Sequence, residues 1–183
     1  MKKGALVVAL ILLIQIVSAQ KRYYTKTGTV SFEAGTAVED IDAVNKSTTS
    51  VFDAGTGQIE FALLIKGFEF KRSLMQEHFN ENYLESDKYP KSIFKGKIAN
   101  IEKVNFQKEG AYPVTVKGIL EMHGIKKETE TTGTLKVSGE TVTGIAEFTV
   151  TLDDYQVTIP GLVKDKISKT VKIKVNCNYA VLK

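Results

Sequence analysis

The chain contains one cysteine, Cys177, and two histidines, His78 and His123. A single thiol cannot form an internal disulfide, so stability has to come from core burial. A structural zinc site takes about four Cys or His ligands and a catalytic one about three. No His-x-x-x-His or His-Glu-x-x-His spacing puts two imidazoles on one helix face. There is no Gly-x-Ser-x-Gly elbow and no Gly-x-x-x-x-Gly-Lys-Ser/Thr phosphate loop. Asp153 and Asp154 are adjacent carboxylates, but neighbours in a strand point to opposite faces, so the pair argues little for acid–base work. Catalytic residues, metal ligands and cofactors are therefore not expected. The chain also lacks internal repeats, low-complexity linkers and βαβ alternation.

The N-terminus reads as an export signal. Lys2 and Lys3 precede an unbroken apolar run from Ala5 to Ile14, and Val17-Ser18-Ala19 supplies short residues for cleavage after Ala19. The run is shorter than the roughly 20 residues of a spanning helix, and polar Gln15 follows it. No cysteine near the cleavage site offers a lipid anchor. The expected division is a signal peptide over 1–19 and one domain over 20–183, in the periplasm or outside the cell. Removing 19 of 183 residues leaves 164, enough to bury a core. The formal charge falls from +4 to +2 as Lys2 and Lys3 leave. This mild lysine excess lacks the strong basic balance of a nucleic-acid binder, and no nucleic-acid partner is expected.

What is present is alternation. Ile59, Phe61, Leu63 and Ile65 take every second position, as do Val114, Val116, Gly118, Leu120 and Met122. Val142, Gly144, Ala146, Phe148 and Val150 form another such face, and Val171, Ile173, Val175, Cys177, Tyr179 and Val181 close the chain. Period two means strands with one apolar and one polar face. Residues 20–33 read as strand, turn, strand, with Thr27-Gly28 as the turn. Val38, Ile41 and Val44 have the spacing of one or two helical turns. A strand is expected from Phe94 to Val104, and hairpin turns at His123-Gly124 and around Gly139. Residues 73–84 break the alternation with a helix-compatible segment, and Tyr89-Pro90 is a rigid turn back into strand. The pattern gives about eight strands, as a closed barrel or a sandwich. Length and the glycines at inward positions, Gly96, Gly118 and Gly144, favour the barrel. Those glycines either make room for a ligand or seat a bulky neighbour. Cys177 is expected as a small buried apolar residue. His78 could meet a ligand head group or bond a loop; His123 could steady its turn or act as acid–base.

Several short motifs fall in a recognisable order. His78-Phe79, Tyr83-Leu84, Lys88-Tyr89-Pro90 and Phe94-Lys95-Gly96 resemble the central block of the YceI-like family. Gly118-Ile-Leu-Glu-Met-His123-Gly124 resembles its second block, and Phe148, Asp153-Asp154-Tyr155 and Val171-Lys-Ile-Lys-Val its C-terminal part. Where the family often carries Arg-Asp near a His-Leu step, this chain has Met75-Gln76.

The resemblance implies an all-β, lipocalin-like antiparallel barrel of about eight strands with a short helical insertion. It also implies an exported binding protein that holds a long apolar amphiphile, an isoprenoid or fatty-chain lipid. The alternating positions nominate Phe61, Leu63, Ile65, Phe94, Val116, Leu120, Phe148 and Val150 as the lining. His78, Phe79 and Tyr83 in the insertion are candidates for a lid or mouth. Transient membrane contact fits such a role, and the oligomeric state stays open, a homodimer included. Two other readings remain: an enzyme on a hydrophobic substrate with His78 or His123 as acid–base, and a ligand-free interaction or stress-response protein with a packed barrel.

Overall fold

Period-two alternation builds strands along most of the chain. The computed structural model describes residues 21–182. The expected signal segment, 1–19, lies outside the described residues. The strands are β1 (Arg22–Gly35), β2 (Asp42–Asp53), β3 (Gln58–Leu64), β4 (Glu69–Phe70), β5 (Lys91–Ile98), β6 (Gly110–Met122), β7 (Ile125–Ser138), β8 (Thr141–Thr151) and β9 (Ile167–Val181). The helix α1 (Ser73–His78) widens into a π turn at Phe79–Tyr83. This is the break in period over residues 73–84.

Every ladder is antiparallel. Neighbours run β1, β9, β8, β7, β6, β5, β3, β2, and β2 pairs back onto β1. The sheet therefore closes as an eight-stranded barrel, with the β7–β8 ladder made over part of its length. The ninth strand, β4, adds Phe70 opposite Ala43 and Glu69 opposite Val44, farther along β2 than β3 reaches. In effect β3 and β4 form one interrupted strand beside β2. Asn45 holds the interruption. Its fully buried amide donates to Leu64 O at 2.9 Å and accepts from Ser47 N at 2.8 Å. At Gly67 a Cβ would stand 2.6 Å from that amide nitrogen, so only glycine lets the chain pass.

The barrel has two different ends. One is sealed by Tyr23, Phe52, Ile98, Val142 and Tyr179 from the strands, with Ile101, Val104 and Phe106 from the β5–β6 connection. Tyr23 stacks on Phe52 and on Phe106, with ring centroids at 5.0 and 5.4 Å. The other end gathers the β1–β2 loop, the insertion, the β6–β7 turn and the β8–β9 connection. Its apolar groups, among them Val30, Phe32, Phe68, Val150 and Val171, are rimmed by partly exposed side chains.

Three local expectations change. The turn expected at Thr27-Gly28 does not form: β1 runs through, with its pairing slipping register between Thr25 and Val30 as Gly28 presses toward Cys177. Val38, Ile41 and Val44 do not make helical turns. Val38 is exposed in the loop, while β2 begins at Asp42 and pairs with β1. The strand from Phe94 stops at Ile98, and Ile101–Lys103 is a 3-10 turn that drops Ile101 and Val104 into the sealed end. Apolar residues three apart mark such turns as readily as helices.

The inward glycines seat neighbours. Gly96 and Gly118 sit opposite each other on β5 and β6, and a Cβ on either would lie within 2.7 Å of the Phe94 ring and 2.4 Å of a facing carbonyl. Gly144 leaves room for the Tyr179 ring. The bulky neighbour, at all three, takes the space. Gly118→Ala should therefore lower stability by about 1–3 kcal/mol through overpacking, read as a lower urea midpoint with an unchanged slope.

Cys177 is buried beside Tyr179, and burial pushes its thiol up to about 11. In mildly alkaline buffer a maleimide should leave the folded protein unlabelled and react fully once guanidinium unfolds it. Labelling of the folded chain at the rate of a free thiol would contradict this burial.

Candidate functional site

Between the sealed end and the insertion lies a cavity of about 430 Å³, walled mainly by apolar side chains. Phe61 and Leu63 reach it from β3, Phe94 from β5, Val116 and Leu120 from β6, and Phe148 and Val150 from β8. Ile65, His78, Phe79 and Tyr83 border it at the mouth. All eleven sequence candidates thus surround one space. A barrel packed solid throughout is excluded by that space. The pattern did not single out Phe32, Phe68 and Phe70, which meet there too. Phe79 stacks on Phe32 at 5.4 Å and touches Phe70 and Phe68 at 5.0 and 5.6 Å. The insertion is therefore anchored by rings over the mouth. Gln76 Oε1 accepts from Phe70 N at 3.3 Å, and Asn80 Nδ2 donates to Gln76 O at 2.8 Å, which steadies it further. Burial raises the Tyr83 phenol above its ordinary range.

Charge enters the wall at one place. Glu39, in the β1–β2 loop, pairs with Arg72 at 2.6 Å and Lys166 at 3.3 Å, and all three border the cavity. Hydrogen bonding from Lys166 chiefly, then the positive charges of Lys166 and Arg72, holds its carboxyl below the usual range against the opposing effect of burial. These partners come from three separate connections, so no local spacing reveals them.

The histidines part company. His78 is exposed at the rim and makes no side-chain hydrogen bond among the described residues. His123 is partly buried, away from the cavity wall. Its Nδ1 lies 2.9 Å from Tyr155 O, its Nε2 lies 2.8 Å from Glu85 Oε2, and its ring packs edge-on to Tyr89 at 4.7 Å. A carbonyl only accepts, so Nδ1 donates. Nε2 then bonds the Glu85 carboxylate only when the pair carries one further proton. Both His123 and Glu85 have positive φ, 53° and 42°. Non-glycine residues hold that conformation at a cost of about 1–2 kcal/mol each. The tie thus locks three connections together: the β6–β7 turn, the segment after the π turn, and the β8–β9 connection. It exceeds a turn-steadying role, and no acid–base pair is assembled in the cavity from His78 and His123.

One side of the wall is split. The β7–β8 ladder runs only from Gly133↔Ala146 to Ser138↔Thr141. Toward the mouth, β7 stays paired with β6 and β8 with β9, but not with each other. Thr131 Oγ1 reaches across to Glu147 O at 3.2 Å in place of a backbone bond. Thr129 and Thr131 border the cavity at this slit and add hydroxyls to a mainly apolar wall.

The YceI-like domain family model matches residues 19–179. The chain belongs to the YceI-like family. Solved structures share the fold at low sequence identity. A polyisoprenoid binding domain from Saccharophagus degradans, implicated in plant cell wall breakdown, is 12% identical with a TM-score of 0.77, covering 89% of this chain and 99% of that one. BcnA of Burkholderia cenocepacia is 16% identical with a TM-score of 0.70, over 84% and 96%. A YCEI protein of Campylobacter jejuni is 14% identical with a TM-score of 0.51, over 100% and 99%. No curated protein sequence matches the chain.

In this YceI-like barrel the His123–Glu85 tie closes the mouth's outer flank. His123→Ala should cost about 1–3 kcal/mol, since it leaves partly buried acceptors unmade. Amide exchange should quicken over residues 79–89 and stay unchanged in β2 and β9. Unchanged exchange at 79–89 would show that the tie holds nothing.

Proposed function

We propose that the protein is an exported carrier that holds one long apolar amphiphile, of isoprenoid or fatty-chain type, inside the barrel. One observation carries this: the cavity is greasy, closed at the aromatic end and bordered by charged groups only at the mouth. That polarity gradient fits a molecule with an apolar tail and a polar head. The volume lies within the roughly 300–1,000 Å³ of ordinary ligand pockets. Each buried methylene contributes about 0.8 kcal/mol, so a tail of ten or so carbons offsets the cost of ordering it. The likeness to a polyisoprenoid binding domain supports an apolar ligand. The N-terminal apolar run supports export to the periplasm or beyond.

An enzymatic reading has less behind it. A general acid or base must lie within reach of its substrate, and here one histidine sits in water at the rim while the other is tied behind the wall.

Organic extraction of the purified protein followed by mass spectrometry should release a lipid. The folded protein should also take up a fluorescent fatty-chain probe. Val116→Trp, which fills the middle of the cavity, should keep the fold with a stability loss of about 1–3 kcal/mol and abolish uptake. Absence of any extracted lipid together with no probe uptake would remove the carrier reading.

A further inference from the structure

The barrel wall has a gap over the cavity. Beyond the Gly133↔Ala146 rung, β7 and β8 part while each stays paired on its other flank. A depression on the outer face lies over the same place. Gly133, Thr134, Ile145, Ala146 and Val175 border both that depression and the cavity within. Leu135 is buried, so by alternation its neighbour Thr134 faces outward, and so does Ile145, the partner of Thr134 across the ladder. Outward side chains border an interior space only where the wall is open. The gap is framed at both ends. At one, Gly133 lets β8 come so close that a Cβ would stand 2.7 Å from Ile145 O. At the other, Lys127 of β7 pairs with Asp154 of the β8–β9 connection at 3.6 Å, and His123 bonds Tyr155 O. Between them Thr131 Oγ1 spans the gap. It lies 3.2 Å from Glu147 O and 3.1 Å from Thr132 O, and its one proton cannot serve both fully. Ile145, 38% exposed, and the partly buried Phe148 give the gap an apolar lip.

We propose that this gap is a side window through which the amphiphile enters and leaves the barrel. The inference rests on the carrier reading, and it assigns exchange to a different opening from the one that borders the polar head. The two openings differ in what has to break before either widens. At the mouth the insertion has to lift. Phe79 then leaves Phe32, Phe68 and Phe70, whose ring contacts add to the area they bury. The bonds from Arg72 and Lys166 to Glu39 hold the neighbouring loops in place as well. At the window two strands, each held on its outer flank only, bend apart, and one shared hydroxyl bond breaks. The apolar lip shields a slender chain from water as it passes.

Thr132 and Glu147 are exposed on the two lips, and both border the outer depression but not the cavity. In a Thr132→Cys, Glu147→Cys variant a short bis-maleimide bridges the window. Cys177 stays in place, since its thiol is buried. A second variant, Thr36→Cys with Asp165→Cys, is bridged in the same way. It straps the β1–β2 loop to the β8–β9 connection at the mouth, where Thr36 Oγ1 donates to Asp165 O at 2.7 Å. Neither residue borders the cavity. Mass spectrometry of the intact chain confirms each bridge, and each variant before bridging is its own control. All samples are stripped of lipid on an apolar resin and mixed with a fluorescent fatty-chain probe. The window bridge should slow uptake and release alike, about tenfold or more, with affinity unchanged, because it blocks a local opening and removes no contact with the probe. The mouth strap should leave both rates as they are.

A second readout needs no lipid. The chain has no tryptophan, so Phe61→Trp on β3, across the barrel from the window, reports on the cavity alone. Its quenching by acrylamide should fall when the window is bridged and stay unchanged when the mouth is strapped. Uptake at an unchanged rate through a bridged window overturns the proposal, as does an equal slowing by the mouth strap. Either result leaves the carrier standing, because uptake still occurs. No uptake by the unbridged protein overturns the carrier. Quenching that falls with the window bridge then still supports a side entrance, and quenching that does not fall overturns it.

Discussion

The pairing of β2 back onto β1 closes the sheet, and the rest of the structure depends on that closure. In a closed sheet the circumference is set by strand number and stagger wherever the ladders are made. Whatever fills the inside must come from the inward half of eight strands and from what the loops fold in. At one end the loops contribute Ile101, Val104 and Phe106, and with Tyr23, Phe52 and Tyr179 the filling is complete. At the other end the loops contribute rings only around the rim, where Phe68, Phe70 and Phe79 lean on Phe32. The space between the two aromatic layers is what remains.

The two ends also differ in what holds their connections. The sealed end is held mainly by apolar contact, with Asp53 Oδ1 accepting from Gly55 N and Thr56 N at 2.9 Å across the β2–β3 turn. The mouth is held by Glu39 with Arg72 and Lys166, and by His123 with Glu85 and Tyr155 O. The Glu39 pairs join side chains that also face water, so each is worth little alone, whereas the His123 ring is largely shielded from it. They are also directional, and together they set how four connections sit around one opening. Loss of the Glu39 tie runs in a fixed direction. Its lowered carboxyl contributes stability that is complete above the ordinary carboxylate range and disappears as pH falls through the lowered value.

Much of this was legible in the sequence. Strict alternation along residues 59–65, 112–122, 142–152 and 171–181 sufficed to put Phe61, Val116, Phe148 and their neighbours around one interior, because a side-chain period of two leaves no choice of face. The insertion was legible as a change of period. The loop at Val38 was not, since apolar residues three apart describe a helical turn and a loop running into a strand equally well. Nor was the slip in β1, where Gly28 is needed by its approach to Cys177 and Thr48, residues distant in sequence. The ties at the mouth lay beyond reach for the same reason. Glu39 and Arg72 are 33 positions apart and Glu85 and His123 are 38, and charge patterns carry no register at such separations.

The slit between β7 and β8 changes what the barrel can measure. Below Gly133↔Ala146 each of these strands is held on one flank only, β7 by β6 and β8 by β9. A tube with every ladder made has a fixed bore and sorts its contents by girth. A tube slit at the mouth yields sideways there, while its far end, stopped by stacked rings, does not yield in depth. On the carrier reading such a barrel gauges length: branching or bulk near the head is accommodated, and a tail that is too long meets Ile98 and Tyr179.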